Sequence, residues 1–199
     1  PRKVGITDSG SAAAATRVAR QSRRNHQTTS TATVSIASSG PTLGGTYSKA
    51  AVAGTATFTD VKLTGTAGSV TLTYSATGVT DLVQSITLVA SDASQLLVTV
   101  SSTLVNDTVF SIQPIVTIKD ASGNVVTSGA QSTQLVTLSS TDATIGGTVS
   151  MNAVNGVADF TGKGIKLTGL VGARNLTATI SSPSTITGTT SVTITYGAA

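Results

Sequence analysis

From residue 95 onward, apolar and polar side chains alternate in short runs separated by turn residues. Seven runs have the length and pattern of strands: 95–100, 112–119, 134–139, 148–153, 157–160 continuing to 167, 175–180 and 191–196. In the second run Ile112, Pro114, Val116 and Ile118 share one face, and Gln113, Thr117 and Lys119 share the other. In the last, Val192, Ile194 and Tyr196 alternate with Thr193 and Thr195. A period of two with one polar face predicts sheets covered on one side only. Asn155-Gly156, between Ala153-Val154 and Val157-Ala158, predicts a two-residue hairpin because both residues accept positive φ. Asp120-Ala121-Ser122-Gly123-Asn124 predicts a second tight turn.

The pattern occurs twice. Leu43-Gly44-Gly45-Thr46 returns as Ile145-Gly146-Gly147-Thr148 at an offset of 102, and Ala56-Thr57-Phe58-Thr59 returns as Ala158-Asp159-Phe160-Thr161 at the same offset. Lys62-Leu63-Thr64-Gly65 meets Lys166-Leu167-Thr168-Gly169 at 104, and Ile86-Thr87-Leu88 meets Val192-Thr193-Ile194 at 106. Two small loop insertions therefore separate the copies. A tandem repeat of this size predicts successive modules, which serve structural or adhesive roles more often than catalytic ones. Seven strands in about 105 residues of the second copy predict an immunoglobulin-like sandwich, here without the cysteine pair and tryptophan of antibody domains.

The run Gln113-Pro114-Ile115-Val116-Thr117-Ile118-Lys119-Asp120, followed by Gly123-Asn124-Val125-Val126-Thr127, resembles bacterial Ig-like repeat domains. Asn155-Gly156-Val157-Ala158-Asp159-Phe160 and Thr190-Ser191-Val192-Thr193-Ile194 carry the same resemblance. It implies a fold and a non-enzymatic role: a spacer, adhesive module or decoration in bacterial surface proteins or in virion proteins of tailed phages. It names no ligand.

The first copy is shorter. Residues 32–37, 46–52, 55–63, 69–75 and 84–90 match the last five runs of the second copy, with Val34 and Ile36 at the places of Val136 and Leu138, Phe58 at Phe160, and Leu72 at Leu176. The first two runs and their connections fill residues 95–133, whereas residues 1–31 stand in their place in the first copy. An open sandwich would expose apolar faces and sheet edges. Three explanations stand side by side. Val4-Gly5-Ile6 and Ala15 to Ala19 complete the domain in cis; the arm lies on a neighbouring subunit by strand addition; or the leader is unrelated to the repeat.

Composition agrees with an all-β chain. Apolar residues make up 39%, chiefly branched aliphatics and alanine; there are three Phe, three Tyr, no Trp, no Cys and no Glu. Neither a disulfide framework nor a thiolate metal site is possible. No apolar stretch approaches the ~18 residues of a membrane-spanning helix, and no signal-peptide core is visible. Pro1 is read as the product of initiator-methionine removal, hence an expectation of cytoplasmic synthesis. Charge is uneven: residues 1–26 carry Arg2, Lys3, Arg17, Arg20, Arg23 and Arg24 against Asp8, a net +5, while the remainder nets −1.

Candidate chemistry is sparse. The single histidine, His26, lies among Arg23, Arg24 and Gln27, with no nucleophile–base pattern around it. All eight acids are Asp, mostly at predicted turns, where Asp serves backbone geometry. Since Ig-like repeats sometimes hold calcium between domains, Asp92, Asp120 and Asn124 are candidate oxygen ligands, with turn chemistry as the competing role. Asn106-Asp107-Thr108 and Asn175-Leu176-Thr177 fit glycosylation sequons. Tyr47 is the one aromatic outside the core pattern that a glycan site would use.

The sequence thus predicts two tandem immunoglobulin-like β-sandwiches, 32–92 and 93–199, behind a basic arm, 1–31. The expected function is that of a non-enzymatic virion protein of a tailed phage, such as a capsid decoration made in the host cytoplasm. It is anchored on a protein lattice or neighbouring subunits through Arg2, Lys3, Arg17, Arg20, Arg23 and Arg24, with the outer sandwich free to meet a host surface or glycan. The alternative is a bacterial surface adhesin or fibre subunit assembling by strand exchange. No catalytic residue, cofactor, metal site, membrane span or specific nucleic-acid partner is expected.

Overall fold

A sheet with one apolar face is stable only when a second layer covers that face, and this demand organises both compact units of the chain, which divide between Ser91 and Asp92. The computed structural model describes residues 30–182 and 184–197. The arm residues Arg2, Lys3, Arg17, Arg20, Arg23, Arg24 and His26 lie outside the described residues, as do both cis segments proposed for the first copy.

The first unit contains β1 (Thr33–Ser38), β2 (Thr42–Gly44), β3 (Ser48–Ala50), β4 (Lys62–Thr64), β5 (Gly68–Ala76) and β6 (Leu82–Leu88). An antiparallel sheet runs in the order β3-β1-β5-β6, and β2 pairs with β4 in a separate ribbon. Its buried side chains include Val34, Ile36, Phe58, Val61, Leu63, Val70, Leu72 and Tyr74, the alternate positions of β1 and β5 together with the segment before β4.

The second unit contains β7 (Ala93–Thr99), β8 (Thr103–Val105), β9 (Ile115–Asp120), a 3-10 turn (Ala130–Thr133), β10 (Leu135–Ser139), β11 (Thr144–Gly146), β12 (Ser150–Asn152), β13 (Val157–Asp159), β14 (Lys166–Thr168), β15 (Gly172–Ile180) and β16 (Ile186–Thr195). A five-stranded sheet, β12-β10-β15-β16-β8, faces a three-stranded sheet, β13-β9-β7, while β11 and β14 form a ribbon. The first strand is divided between layers: β7 pairs antiparallel with β9, then β8 crosses to run parallel to β16. This is an immunoglobulin-like sandwich, and the chain is all-β. Val116, Ile118, Val136, Phe160, Leu176 and Ile194 lie fully buried between the layers. Gly188 on β16 lets the layers close, since a side chain there would run into the Leu96 carbonyl of β7.

Several expected boundaries shift for physical reasons. The run 112–119 becomes a strand only from Ile115, because Gln113 turns its amide inward: Nε2 donates to the carbonyls of Phe110 and Ile165, and Oε1 accepts from Ile165 N–H. Ile112 is consequently exposed, against the expected inward face. The run 157–167 is two strands in different sheets, β13 and β14, separated by the glycine turn at Gly162 and Gly164, both with positive φ. Tyr196, expected in the inward row with Ile194, is 80% exposed because β16 ends one residue earlier. The run 55–63 forms a strand only at β4 among the described residues, and 46–52 only at β3.

The two units superpose in their hydrogen bonds as well as their sequence. Gly54 N–H donates to Ser30 O at 3.1 Å and Gly156 N–H to Ser132 O at 2.8 Å; Ala51 N–H donates to Ala32 O and Ala153 N–H to Gln134 O, both at 2.9 Å. The hairpin turns match too: Val52 bridges Thr55 as Val154 bridges Val157. Both central residues of each turn are left-handed, Ala53 (φ 51°) and Gly54 (73°) in one, Asn155 (48°) and Gly156 (80°) in the other. Alanine pays a Cβ clash there that Asn tolerates, about 1–2 kcal/mol for an ordinary L-residue. Ala53→Asn is therefore expected to stabilise the first unit by ~1 kcal/mol, and Asn155→Ala to destabilise the second by a similar amount. Denaturant unfolding followed separately in each unit measures both.

Candidate functional site

Chemistry in a sandwich of this kind has to come from its turns, edges and outer faces, since the interior is apolar. The turns use their acids for backbone geometry. Asp120, buried at the end of β9, accepts the amides of Ser122 (2.9 Å) and Asn124 (2.8 Å) on Oδ1 and the side-chain amide of Asn124 (3.0 Å) on Oδ2. The two candidate calcium ligands Asp120 and Asn124 are brought together, but as acceptor and donor of one another rather than as converging oxygens. Asp92 is exposed beside Ala93, which pairs with Asp120. Among the described residues no three His, Cys, Asp or Glu side chains gather where they could hold a metal ion.

The exposed acids follow the same rule. The amide and then the hydroxyl of Thr46 hold the Asp60 carboxyl below its ordinary value. Lys166, 2.7 Å away, and then the Thr168 hydroxyl lower Asp107. The amide of Asn175, with help from the Ser140 hydroxyl, lowers Asp142. The hydroxyl and amide of Thr161 lower Asp159. Each carboxylate is committed to ordering a loop, which is also the role of Asn106 in its sequon: its Oδ1 accepts Gly169 N–H. Asn175, in the other sequon, lies exposed on β15.

The outer faces are hydroxyl-clad. Across the second unit, Ser150, Thr137, Thr179 and Thr187 stand in one row on four adjacent strands, and Ser139, Thr177 and Thr189 in the next. Neighbours along these rows bond one another, Thr137 to Ser150 at 3.1 Å and Thr177 to Thr189 at 2.9 Å. The first unit has a matching row of Ser48, Ser35 and Ser75. Tyr47 is exposed as expected, but Tyr196 is more so, and Leu170, Val171, Val105 and Val109 are exposed near it. Pairing of Gly172 with Ile194, of Thr195 with Val105, and of Val109 with Lys166 gathers these five at the end of the second unit where β16 finishes.

The edge strand β8 escaped sequence reasoning. It is three residues long, and its only signal is Leu104 between Thr103 and Val105. Thr193 N–H donates to Ser102 O at 2.8 Å and Asn106 N–H to Thr195 O at 3.0 Å, closing both ends of a parallel ladder between β8 and β16. Leu96 on β7 lies against Gly188 near the start of β16. The chain therefore comes into the second unit at Ala93, level with the start of β16, and leaves at Thr195, at the opposite end. No helix among the described residues is long and apolar enough to cross a membrane.

No family model matches the chain, and no curated protein matches it. Among solved structures, the D0-D1 domain of Intimin is 18% identical with a TM-score of 0.33, covering 87% of this chain and 87% of that one. A glycosyl hydrolase family 2 member from Bacteroides cellulosilyticus is 16% identical with a TM-score of 0.41, covering 82% of this chain. A β-glycosidase from Bacteroides vulgatus is 9% identical with a TM-score of 0.43, covering 90% of this chain. This chain spans only 21% and 24% of the two glycosidases. At these TM-scores none of the three assigns it an activity or a partner.

The lowered carboxylates set an acid response. A carboxyl whose folded pKa lies below its unfolded value contributes stability that is whole above the unfolded value and disappears as pH falls through the folded one. Asp60, Asp107, Asp142 and Asp159 all shift down from 3.8, so stability is expected to hold from pH 7 to about 5 and then fall progressively below pH 4. Denaturant midpoints measured between pH 6 and pH 2 follow this, and Asp142→Asn is expected to make the second unit's decline shallower.

Proposed function

We propose that the chain is a non-enzymatic structural module, a tension-bearing spacer displayed at a bacterial or virion surface. The observation that carries this reading is the parallel pairing of β8 with β16 at the two ends of the second unit's chain path. Pulling the unit by its ends drives these strands past one another along their length. The hydrogen bonds from Thr193 N–H to Ser102 O and from Asn106 N–H to Thr195 O then carry load together, where a peeled ladder would yield them singly. The repeat supports the same reading, because only residues 89–92 separate β6 from β7. So do the hydroxyl-clad outer faces and the turn-bound acids.

The finer form of the proposal is a virion decoration seated on a protein lattice through Arg2, Lys3, Arg17, Arg20, Arg23 and Arg24. Its support is the concentration of net positive charge in residues 1–26 against a nearly neutral remainder. A surface fibre subunit shares the tension-bearing role and differs in what the arm meets. Replacing Arg23 and Arg24 by Ser is expected to weaken salt-sensitive attachment to purified particles several-fold; attachment indifferent to both substitutions and to salt would sink the lattice version.

The spacer role is tested by pulling the full chain from its ends in single-molecule force spectroscopy. The second unit is expected to open in one step, releasing about 350 Å of extended chain. Asn106→Pro, which removes one ladder donor together with the side-chain acceptor of Gly169 N–H, is expected to lower the opening force clearly, and more than Asn106→Ala, which loses the side-chain bond and keeps the ladder donor. Gradual opening, or an opening force untouched by Asn106→Pro, would contradict the reading.

A further inference from the structure

The end of the second unit where β16 finishes carries apolar side chains that the fold does not require. Gly172↔Ile194 is the last pair of the β15–β16 ladder at that end, and Leu170 and Tyr196 lie two residues beyond it, one on each segment. Both are 80% exposed, while Ile194 is fully buried. The first unit makes the same closure with Gly68↔Leu88. At the repeat offsets of 104 and 106 it carries Thr66 and Ala67 where the second carries Leu170 and Val171, and Ala90 where the second carries Tyr196. A turn and a strand end that form with Thr and two Ala have no structural need of three large apolar residues. Left bare they lower solubility, so they mark a surface that is covered on association.

The patch extends past these three. Val109 bridges Lys166 on β14 and Asp107 N–H donates to Leu167 O, which lays the 106–109 segment beside the turn that holds Leu170; Val105, opposite Thr195, adds to it from β8. Together the five side chains expose roughly 500 Å², so a contact between two such patches buries about 1,000 Å², the lower end of a specific interface. The polar groups around them are largely committed: Lys166 pairs with Asp107 at 2.7 Å, and Arg174 donates to the carbonyls of Ala173 and Val171. Over residues 93–199 four basic residues balance four Asp, a net charge of zero. A neutral body offers a second copy no long-range repulsion. It also lacks the basic excess that would draw an apolar tip onto an anionic lipid surface, and Asp107 stands exposed beside the patch.

We infer that two copies of the chain associate through this end of the second unit about a two-fold axis, Leu170 and Tyr196 of each copy covering the patch of the other. A two-fold contact uses one self-complementary patch and closes on itself, so it yields dimers and not filaments. The aliphatic and aromatic anchors supply the attraction, and the Lys166–Asp107 pair stands at the rim, where charges set register more than affinity. An interface of this size is weak, with a dissociation constant on the order of 10–100 μM.

Sedimentation of the full-length protein from roughly 5 μM to about 1 mM tests the contact, since that range brackets the expected dissociation constant. The average mass is expected to rise toward twice the monomer's, and the NMR signals of Leu170, Val171 and Tyr196 to shift with concentration in step with it. Installing the first unit's residues, Leu170→Thr with Val171→Ala and Tyr196→Ala, is expected to weaken association by about tenfold or more. Leu170→Lys alone, which sets like charges face to face at an exposed position, is expected to do the same without touching the core. Val154→Thr is expected to leave association unchanged, because Val154 is exposed in the hairpin turn after β12, level with the start of β16. A monomer throughout the range, association that survives both the triple substitution and Leu170→Lys, or shifts confined to other residues overturns the inference. A monomer that binds neutral phosphatidylcholine vesicles and loses that binding with Leu170→Lys overturns it in favour of a lipid surface.

Discussion

The fold rests on the burial of one face of each sheet. In the second unit Val116 and Ile118 on one layer meet Val136, Leu176 and Ile194 on the other around Phe160, all without measurable exposure. With no disulfide and no aromatic residue beyond three Phe and three Tyr, close packing of branched aliphatic side chains is the main stabilising contribution. Strand identity, register and the even spacing of the repeat follow from it, because a one-residue slip would send every inward side chain to the outside. Gly188 marks how tightly the layers approach, and Gln113 shows what happens where a polar side chain meets the core rim: it bonds three backbone groups and delays the start of β9 to Ile115.

This demand also determines what the polar residues are free to do. Strand ladders satisfy the backbone within sheets, but the turns leave amides to be matched, and the aspartates are spent there. Asp120 shows the consequence most plainly. Its oxygens already accept three N–H donors, so the turn that looked like half a calcium site is a closed hydrogen-bond cycle. The hydroxyl rows of the outer faces likewise bond one another across strands. Threonine there favours the extended backbone and presents neither charge nor a nucleophile paired with a base.

Alternation made the long strands legible. β1, β5, β9, β10, β15 and β16 all lie within or across runs of period two, and the Asn155-Gly156 turn stands where its φ preference placed it. Short elements were not legible. β2, β4, β11 and β14 are three residues each, too short for a period to show, and the glycine motif that revealed the repeat turned out to edge their ribbons. β8 was hidden for the same reason, and its parallel partner lies some ninety residues away, beyond any local pattern. Tyr196 misled because periodicity carries no information about where a strand stops. The candidate site fared unevenly: turn roles for the acids could be read from residue type, whereas the β8–β16 edge depends on a pairing that only the folded topology creates.

The two units differ, among their described residues, at one sheet edge. In the second, the outer edge of β16 is held by β8; in the first, β6 is the equivalent strand, and among the described residues no strand lies along its outer edge. Within the described residues the parallel β8–β16 pairing is thus a feature of the second unit, created by a first strand that divides between two layers.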